Sequence, residues 1–290
     1  MRHFFKGLVL AVVTTTVLAT VATNTKITSS SGNASTTYFN FSDSWKKLQK
    51  SPFSLAYLNE GVIGTYGAKG LYTNHYFYAG YKIDKYHSFK IVPAFKTDYT
   101  GDNNNESKTQ RGNGDAHTEY QYTTFRLYRN SILKESKHGI GLSGQIRHYE
   151  YNDNNRENGQ LTKQRIYPYF SKSFGNKLSL SVPFFTEFVH GSTKRERNDF
   201  VGATLTYSAN DSWAFSTGAE YYTTNNEDST NDKEYYTITP VEVSWARGRF
   251  SASASATFDV ATSKDRFDGF NNKWWKNNGS FVTSLYYSFF

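Results

Sequence analysis

The sequence predicts an all-β fold, a transmembrane antiparallel up-and-down β-barrel of about twelve strands, with fourteen as the alternative. Three observations predict it. Apolar and polar residues alternate with a period of two along most of the chain, as in strands with one apolar and one wet face. Aromatic residues make up 18% of a chain whose mean hydropathy is only −0.66. Short turns alternate with long polar connections, as they do between the strands of such barrels.

The composition also excludes several classes of protein. A mean hydropathy of −0.66 is too low for helical membrane spans. The chain has no cysteine, which excludes a disulfide framework and thiolate metal sites. A net charge of +8 could indicate nucleic-acid binding, but Lys and Arg are scattered among Asp and Glu. We therefore expect no nucleic-acid partner and assign the charge to the loops and the lumen.

The chain begins with the pattern of a secretory signal peptide over residues 1–22. Arg2 and Lys6 precede an apolar run over residues 7–21, which ends in small residues suited to cleavage. A signal anchor is the alternative, but the run is short and a polar stretch follows it. We expect the segment to be removed from the mature protein.

A polar N-terminal tail follows, and its composition predicts no packed core. Residues 23–50 are rich in Ser, Thr, Asn and Lys and show no sustained period, so we expect a periplasmic tail. Residues 42–49 could form one or two helical turns, either below the barrel or inside it as a plug. The barrel itself is predicted over residues 51–290.

Twelve segments carry the alternation, and each has one apolar face that we expect to contact lipid. The first half of the chain supplies five of them, and the outward residues of these are Phe53, Leu55, Tyr57; His75, Phe77, Ala79, Tyr81; Phe89, Ile91, Pro93, Phe95; Thr123, Phe125, Leu127; and Ile140, Leu142, Ile146. The second half supplies seven, with outward Ile166, Phe170; Leu178, Leu180, Val182, Phe184, Phe188; Val201, Ala203, Leu205, Tyr207; Trp213, Phe215, Ala219, Tyr221; Tyr235, Val241, Val243, Trp245; Phe250, Ala252, Ala254, Ala256, Phe258; and Phe281, Thr283, Leu285, Tyr287.

The connections sort into two lengths. We expect short turns near residues 84–87, 130–138, 174–177, 209–212 and 246–249, and long loops near 60–70, 98–116, 152–163, 191–198, 225–233 and 262–279. The segment 130–138 is no shorter than 191–198, which is the weak point of this division. Because hydrocarbon cannot satisfy backbone polar groups, a membrane-spanning sheet must close. An even number of strands then puts both termini on the side of the short turns, which we expect to be the periplasm; a soluble all-β protein is the alternative.

The C-terminal stretch, residues 281–290, has the length of one tilted transmembrane strand, about 9–11 residues. It ends on an aromatic residue, Phe290. It resembles the C-terminal signature of bacterial outer-membrane β-barrel proteins. That resemblance implies recognition by the barrel-assembly machinery and a setting of outer-membrane lipid and lipopolysaccharide. The family pattern has an aromatic residue two positions before the end, where this chain has Ser288.

Three stretches resemble monomeric porins of the outer membrane protein G type. They begin at Gly139, Asp199 and Glu234 and share the aromatic–hydroxyl alternation and turn placement of those proteins. The resemblance implies a monomeric, relatively unselective outer-membrane channel for small solutes. The family usually has fourteen strands, and its gate uses paired histidines on late strands. This chain has no histidine after His190, so we do not expect that gate.

The charged residues on the wet faces are the predicted pore lining. They change sign between the sixth and seventh strands, so closing the sheet sets a basic wall opposite an acidic wall. Such a transverse field would orient dipolar solutes; locally paired, ordinary lumen charge is the alternative. The predicted lining residues are Lys90, Lys96, Arg126, Arg147 and Arg165 on the basic side and Glu187, Glu220, Glu242 and Asp259 on the acidic side.

Two further hypotheses concern binding and catalysis. Inward tyrosines could guide ring-bearing solutes by stacking, although space filling is the commoner role; the candidates are Tyr72, Tyr76, Tyr78, Tyr120, Tyr122, Tyr128, Tyr149, Tyr167, Tyr169 and Tyr222. His190 and Ser192 could share a face, but no orienting carboxylate is in register with them, so we expect no enzyme. The histidines and loop carboxylates lack the spacing of metal ligands, so we also expect no metal site and no cofactor. We expect a passive diffusion channel for small hydrophilic solutes or ions; the alternative is a non-conducting surface or adhesion barrel whose external loops bind a partner.

Overall fold

A computed structural model describes most of the predicted barrel. The described residues are 51–64, 71–99, 116–152, 160–191, 195–226, 233–262 and 279–290. The predicted signal peptide and polar tail lie outside these ranges, as do the central parts of the long connections. The predictions for those segments therefore stay predictions.

Twelve antiparallel strands close into a single barrel in which each strand pairs with its neighbours in sequence and the last pairs with the first. The predicted fold class and the number twelve are confirmed, and the alternative of fourteen strands is wrong. The strands are β1 (Phe53–Gly64), β2 (Tyr72–Lys82), β3 (His87–Asp98), β4 (His117–Leu133), β5 (Gly141–Tyr151), β6 (Gln160–Phe174), β7 (Leu178–Gly191), β8 (Arg195–Ser208), β9 (Trp213–Asn226), β10 (Lys233–Arg247), β11 (Phe250–Thr262) and β12 (Gly279–Ser288).

The outer face of the barrel carries the apolar residues that the alternation predicts. Ile146, Ile166 and Phe281 are each more than half exposed, at 58%, 56% and 54%. Exposed large aliphatic or aromatic side chains occur on eleven of the twelve strands, and they are costly in water and favourable against hydrocarbon. This surface is therefore the lipid-facing band of a transmembrane barrel.

Several strands continue further than the alternation indicates. Loops were predicted over 152–163 and 191–198, but β6 begins at Gln160, β7 ends at Gly191 and β8 begins at Arg195. Beyond the hydrocarbon both faces of a strand are wet, so the alternation of hydropathy disappears while the hydrogen-bonded ladder continues. The predicted loop boundaries there are wrong for this reason.

Two β-bulges change which face a residue occupies. In β4 the pairing with β3 skips Gln121, which turns Tyr120 outward beside Phe95. In β10 a bulge between Thr239 and Glu242 reverses the alternation, so Tyr235 lies inward. A bulge adds one residue to one strand, and a single added residue exchanges the two faces beyond it. The predictions of an inward Tyr120 and an outward Tyr235 are both wrong.

The short connections lie at one end of the barrel, as predicted. Four are tight turns, and the β4–β5 connection contains a four-residue helix, α1 (Glu135–His138). Gly139 ends α1 with φ 78° and Gly248 forms the β10–β11 turn with φ 63°, a left-handed conformation that glycine adopts without strain. In the described ranges no helix is long and apolar enough to cross a membrane.

Asp84 organises the β2–β3 turn. Its carboxylate accepts hydrogen bonds from the backbone N–H groups of Tyr86 (2.6 Å) and His87 (2.8 Å), and it lies 2.7 Å from the His87 ring. The His87 side chain and these N–H groups favour the ionised carboxylate, which lowers the pKa of Asp84 to about 2.

Candidate functional site

The inward face of the barrel surrounds a cavity of about 610 Å³. Lys90, Arg126, Arg147 and Arg165, all predicted lining residues, are part of its wall. The cross-strand register puts the other five on the same inward face: Lys96 pairs with Asn74, Glu187 with Arg165, Glu220 with Gly202, Glu242 with Ser216 and Asp259 with Thr237. Whether all nine line a conducting path stays a prediction.

Four of these cations lie directly beside one another on four neighbouring strands. Lys90 of β3 pairs with Arg126 of β4, Arg126 pairs with Arg147 of β5, and Arg147 pairs with Arg165 of β6. We call these four residues the cation row. Like charges directly opposite each other on adjacent strands are unfavourable, so other groups must offset the repulsion.

The cation row also runs obliquely along the barrel axis. Lys90 is the fourth residue of β3 from its turn end, whereas Arg165 is the tenth residue of β6 from its turn end. This follows from the tilt of barrel strands, because a line of directly paired residues runs obliquely to the barrel axis. The row therefore connects the turn side of the lumen with the loop side.

Aromatic rings, more than carboxylates, contact the cation row. The ammonium of Lys90 lies 5.1 Å from the centre of the Tyr128 ring, and the guanidinium of Arg147 lies 4.7 Å from that of Tyr167. The guanidinium of Arg126 lies 5.3 Å from the centre of the Tyr78 ring. The negative face of an aromatic ring attracts a cation without cancelling its charge. The row is therefore stabilised while it remains positive.

Arg126 is the most enclosed member of the cation row, with 5% of its surface exposed. Its Nη2 reaches the Thr124 hydroxyl only at 3.5 Å, and its buried Nε has no hydrogen-bond partner within the described ranges. Arg147 is better satisfied, since its Nε donates to Gln145 Oε1 at 2.8 Å. Among the described residues, no carboxylate forms an ion pair with Lys90, Arg126 or Arg147.

The loop-side end of the cation row is neutralised by Glu187, which is 2% exposed. Arg165 Nε donates to Glu187 Oε2 at 2.7 Å, and the ammonium of Lys163 lies 3.3 Å from Oε1. Asn198 Nδ2 donates to the same oxygen at 3.1 Å. Two cations and an amide therefore compensate this buried carboxylate, as a buried charge requires.

The far side of the lumen has a different chemistry. The inward residues of β9–β11 are mostly serine and threonine, with Glu220, Glu242 and Asp259 among them; we call this face the hydroxyl wall. Thr237 Oγ1 donates to Asp259 Oδ1 at 2.7 Å, and Glu220 also pairs with Thr237, from the other side. Two carboxylates therefore flank one threonine at one level of this wall.

Part of the lumen beside β1–β3 is filled with apolar side chains. Leu58 and Val92 are 2% and 0% exposed and pack with Tyr78 and Ala56 on the inside of the barrel. Alternation of apolar and polar residues predicts a uniformly wet inward face, and this apolar cluster departs from that prediction. The uninterrupted apolar run Ile91–Phe95 is the signal that could have found it, because only a strand covered on both faces has such a run.

Sequence reasoning also missed Lys163, which it placed in a loop. The structure puts it in β6, where its ammonium lies 4.4 Å from the Tyr149 ring centre as well as beside Glu187. Glu60 was likewise placed in a loop, yet it is part of the cavity wall. Of the predicted tyrosines, Tyr76, Tyr78, Tyr122, Tyr128, Tyr149, Tyr167 and Tyr169 line the cavity.

The described histidines form no catalytic arrangement in the lumen. His75 faces outward, where its ring contacts the Tyr57 hydroxyl at 2.7 Å and the Thr97 hydroxyl at 3.0 Å. His148 faces outward 2.6 Å from Glu150. Within the described ranges no group of His, Asp and Glu is arranged to hold a metal ion. Ser192 lies outside those ranges, so its pairing with His190 stays a hypothesis.

No protein-family model matches the sequence, and no curated protein matches it either. Among solved structures, the barrel is similar to the NanC porin, with 8% identity and a TM-score of 0.49 over 81% of this chain and 99% of that one. It is similar to an outer membrane channel from Pseudomonas putida F1, with 11% identity and a TM-score of 0.49 over 82% and 95% of the two chains. It is also similar to the KdgM porin, solved in complex with disordered oligogalacturonate, with 8% identity and a TM-score of 0.46 over 82% and 99%.

Proposed function

We propose that this protein is an outer-membrane channel through which small hydrophilic solutes or ions diffuse passively. One observation carries the proposal: a closed barrel with a lipid-facing outer surface contains a charged, tyrosine-lined cavity of about 610 Å³. Transport needs a continuous wet path through the bilayer, and charged side chains facing inward are what such a path is made of. Diffusion down a gradient requires no catalytic group and no cofactor.

The same proposal assigns an orientation and a setting. Barrels of this type place short turns in the periplasm and long loops outside the cell, so the turn end with α1 (Glu135–His138) would face the periplasm. The outer surface would contact outer-membrane lipid and lipopolysaccharide. Insertion would use the barrel-assembly machinery through β12 (Gly279–Ser288), and the channel would act as a monomer.

A transverse field across the lumen is part of the proposed mechanism. In a closed ring of twelve strands, β3, β4 and β5 lie opposite β9, β10 and β11. The first group carries Lys90, Arg126 and Arg147, and the second carries the carboxylates of the hydroxyl wall. In the described part of the chain, Glu187 forms ion pairs with Lys163 and Arg165, and Lys96 forms one with Asp98. The charges of Lys90, Arg126 and Arg147, with Glu220 and Asp259 opposite them, support a field that would orient dipolar solutes.

Single-channel current in a planar bilayer tests the proposal directly. The refolded chain, with and without residues 1–22, should give steady current steps in potassium chloride. The reversal potential in a salt gradient should change in opposite directions when charge is removed from the two walls, by Arg147→Ala and by Glu220→Ala. Current steps whose reversal potential is unchanged by both substitutions would support the channel and contradict the transverse field.

The rival function is a non-conducting surface or adhesion barrel whose external loops bind a partner. The apolar cluster around Leu58 and Val92 favours it to a degree, since it narrows the lumen beside β1–β3. Protein shown to be folded by its heat-dependent shift in gel mobility, yet silent in the bilayer, would contradict the channel. The loops would then be the place to look for function.

A further inference from the structure

The cation row is a costly arrangement that the fold does not require. Nothing in the backbone of β3–β6 demands a cation at four directly paired positions, and serine or threonine occupies the equivalent positions over much of the hydroxyl wall. Repulsion between adjacent like charges works against folding. A group outside the protein that neutralises the row would remove that cost.

The charge of the cation row remains available inside the lumen. Among the described residues, only Arg165 has a carboxylate partner, Glu187, and the other three are held by aromatic rings and neutral oxygens. All four belong to the cavity wall. An anion that enters the cavity therefore meets three cations, Lys90, Arg126 and Arg147, that form no ion pair with a described carboxylate.

The spacing of the cation row suits a ligand with more than one charge. Adjacent strands lie about 4.8 Å apart, so the three steps from Lys90 to Arg165 extend over roughly 14 Å. Three of the four members are arginines, whose planar guanidinium groups bind carboxylate and phosphate oxygens through paired hydrogen bonds. A solute with two anionic groups can contact two cations of the row at once, whereas a monovalent anion contacts one.

We propose that the cation row is a binding track for small solutes that carry two or more anionic groups, carboxylate or phosphate. The track rests on the proposed channel only for the passage of such a solute; the binding site exists whether or not the barrel conducts. Because the row extends from the turn side of the lumen to the loop side, a bound anion can move from one pair of neighbouring cations to the next. Several weak sites in series allow entry and release, which a single tight site would prevent.

The first experiment is block of single-channel current by anions of different charge. The full chain is refolded and recorded in potassium chloride with acetate, citrate or tripolyphosphate added, and with spermidine as a cationic control. We expect citrate or tripolyphosphate to half-block at a concentration about tenfold or more below that of acetate, because two charge-assisted contacts replace one. Stronger block by citrate would identify carboxylates as the favoured class, and stronger block by tripolyphosphate would identify phosphates.

Variants separate the cation row from general lumen charge. Arg147→Gln should raise the half-blocking concentration about fivefold or more, since it removes a central step and its charge-assisted hydrogen bonds. Lys90→Gln, at the edge of the row, provides a second variant in case Arg147→Gln folds poorly. Lys96→Gln removes a lumen cation outside the row, already paired with Asp98 at 2.7 Å. Lys177→Gln removes an exposed turn cation as a control for net charge, and neither of these should change the block more than about twofold.

Calorimetric titration of the folded protein in detergent gives a readout that needs no current. Binding of tripolyphosphate or citrate that is weakened by Arg147→Gln and not by Lys177→Gln would support the track even if the barrel proved silent. Equal effects of Arg147→Gln and Lys96→Gln would reduce the row to ordinary lumen charge and overturn the proposal. Multivalent anions that bind and block no better than acetate would overturn it as well.

Discussion

The two sides of the lumen are covered by different kinds of polar side chain. On β3–β6, which we call the cation wall, long basic and aromatic side chains cover one another, so that Arg126 and Tyr149 are 5% and 3% exposed inside a water-accessible barrel. On the hydroxyl wall the side chains are short, and Ser216 at its edge exchanges a hydrogen bond of 2.9 Å with Thr206 of the neighbouring strand β8. Glu220, on the same wall, is exposed to the lumen.

The closely packed charged side chains therefore lie on one side of the lumen, and the small side chains that leave room for water lie on the other. The cation wall is a packed layer, in which each charge depends on particular neighbours and a single substitution leaves a buried group unsatisfied. The hydroxyl wall consists of small groups that water can replace. We therefore expect substitutions on the cation wall to change stability and selectivity together, and substitutions on the hydroxyl wall to change selectivity with little change in stability.

The largest contrast should come from the carboxylate that binds two cations of the cation wall and a carboxylate of the hydroxyl wall. Glu187→Gln leaves Lys163 and Arg165, whose side chains are only 15% and 17% exposed, without a counter-charge, and should lower the free energy of unfolding by about 3–5 kcal/mol. Glu220→Gln alters an exposed group and should change it by less than about 0.5 kcal/mol. Denaturant titration of the refolded barrel in detergent measures both. Similar losses for the two variants would show that the walls do not differ in packing.

The next effect concerns the tyrosines that hold the cation wall. Tyr149→Leu removes the ring that lies 4.4 Å from Lys163 and 5.4 Å from Arg165, whereas Tyr149→Phe keeps it. The Leu variant should be about 2 kcal/mol less stable than the Phe variant, because a desolvated cation–π contact is lost. Tyr222→Leu is the matched control on the other side of the lumen, because the Tyr222 ring lies beside Tyr235 and Phe185 and over none of the described cations. Its loss of stability should be smaller.

Ion selectivity should respond to both walls, with opposite sign. A unit charge about 8 Å from a permeating ion is worth roughly 1–2 kcal/mol before screening at an effective dielectric constant near 20. Arg147→Glu should therefore reduce the anion-to-cation permeability ratio roughly threefold to tenfold, and Glu220→Lys should raise it by a similar factor. Reversal potentials in a salt gradient measure the ratio. Changes of the same sign would contradict walls of opposite charge.

The smallest effect lies outside both walls, in the β2–β3 turn. Folding lowers the pKa of Asp84 to about 2 from an ordinary value of 3.8, so its ionised form stabilises the turn above pH 3.8 and loses that contribution as the pH falls toward 2. Asp84→Asn should lower the unfolding midpoint slightly at pH 5; the difference from the unmodified chain should be much smaller at pH 2, where the carboxylate is about half protonated, and should vanish near pH 1. A difference that keeps its full size down to about pH 1 would show that the carboxylate charge is not the cause.

The outer face of this barrel could be predicted from sequence because hydrocarbon tolerates few alternatives there. Phe77, Ile91 and Phe250 lie outward as the alternation predicts, since a polar residue at such a position would be costly in lipid. The inner face is less constrained, because both polar and apolar groups can be accommodated inside a narrow barrel. Leu58 and Val92 are apolar, inward and buried, and the simple alternation of faces does not predict them.

Alternation assigns a residue to the correct face only where the strand is regular. A bulge inserts one residue without a reliable sequence signal, and Tyr120 and Tyr235 each lie on the face opposite to the predicted one for that reason. Lys163 was missed because the polar segment around it has no alternation to read. The cation row itself required the cross-strand register: each of its members was predicted to be inward, but their direct pairing depends on the relative offsets of four strands.

The pairing of β1 with β12 has a consequence for biosynthesis. Phe289 N–H donates to Leu55 O at 2.8 Å, and Tyr57 pairs with Tyr287, so the seam joins the first strand of the barrel to its last strand. Until synthesis is complete, the sheet has two open edges whose backbone groups cannot be satisfied in hydrocarbon. A ribosome that stops before residue 279 leaves an open sheet with no route into lipid, because an eleven-stranded sheet still has two unpaired edges. All twelve strands must therefore be synthesised before the barrel can close, and its closure depends on the strand pairing with the largest separation in sequence, a kind of contact that forms slowly.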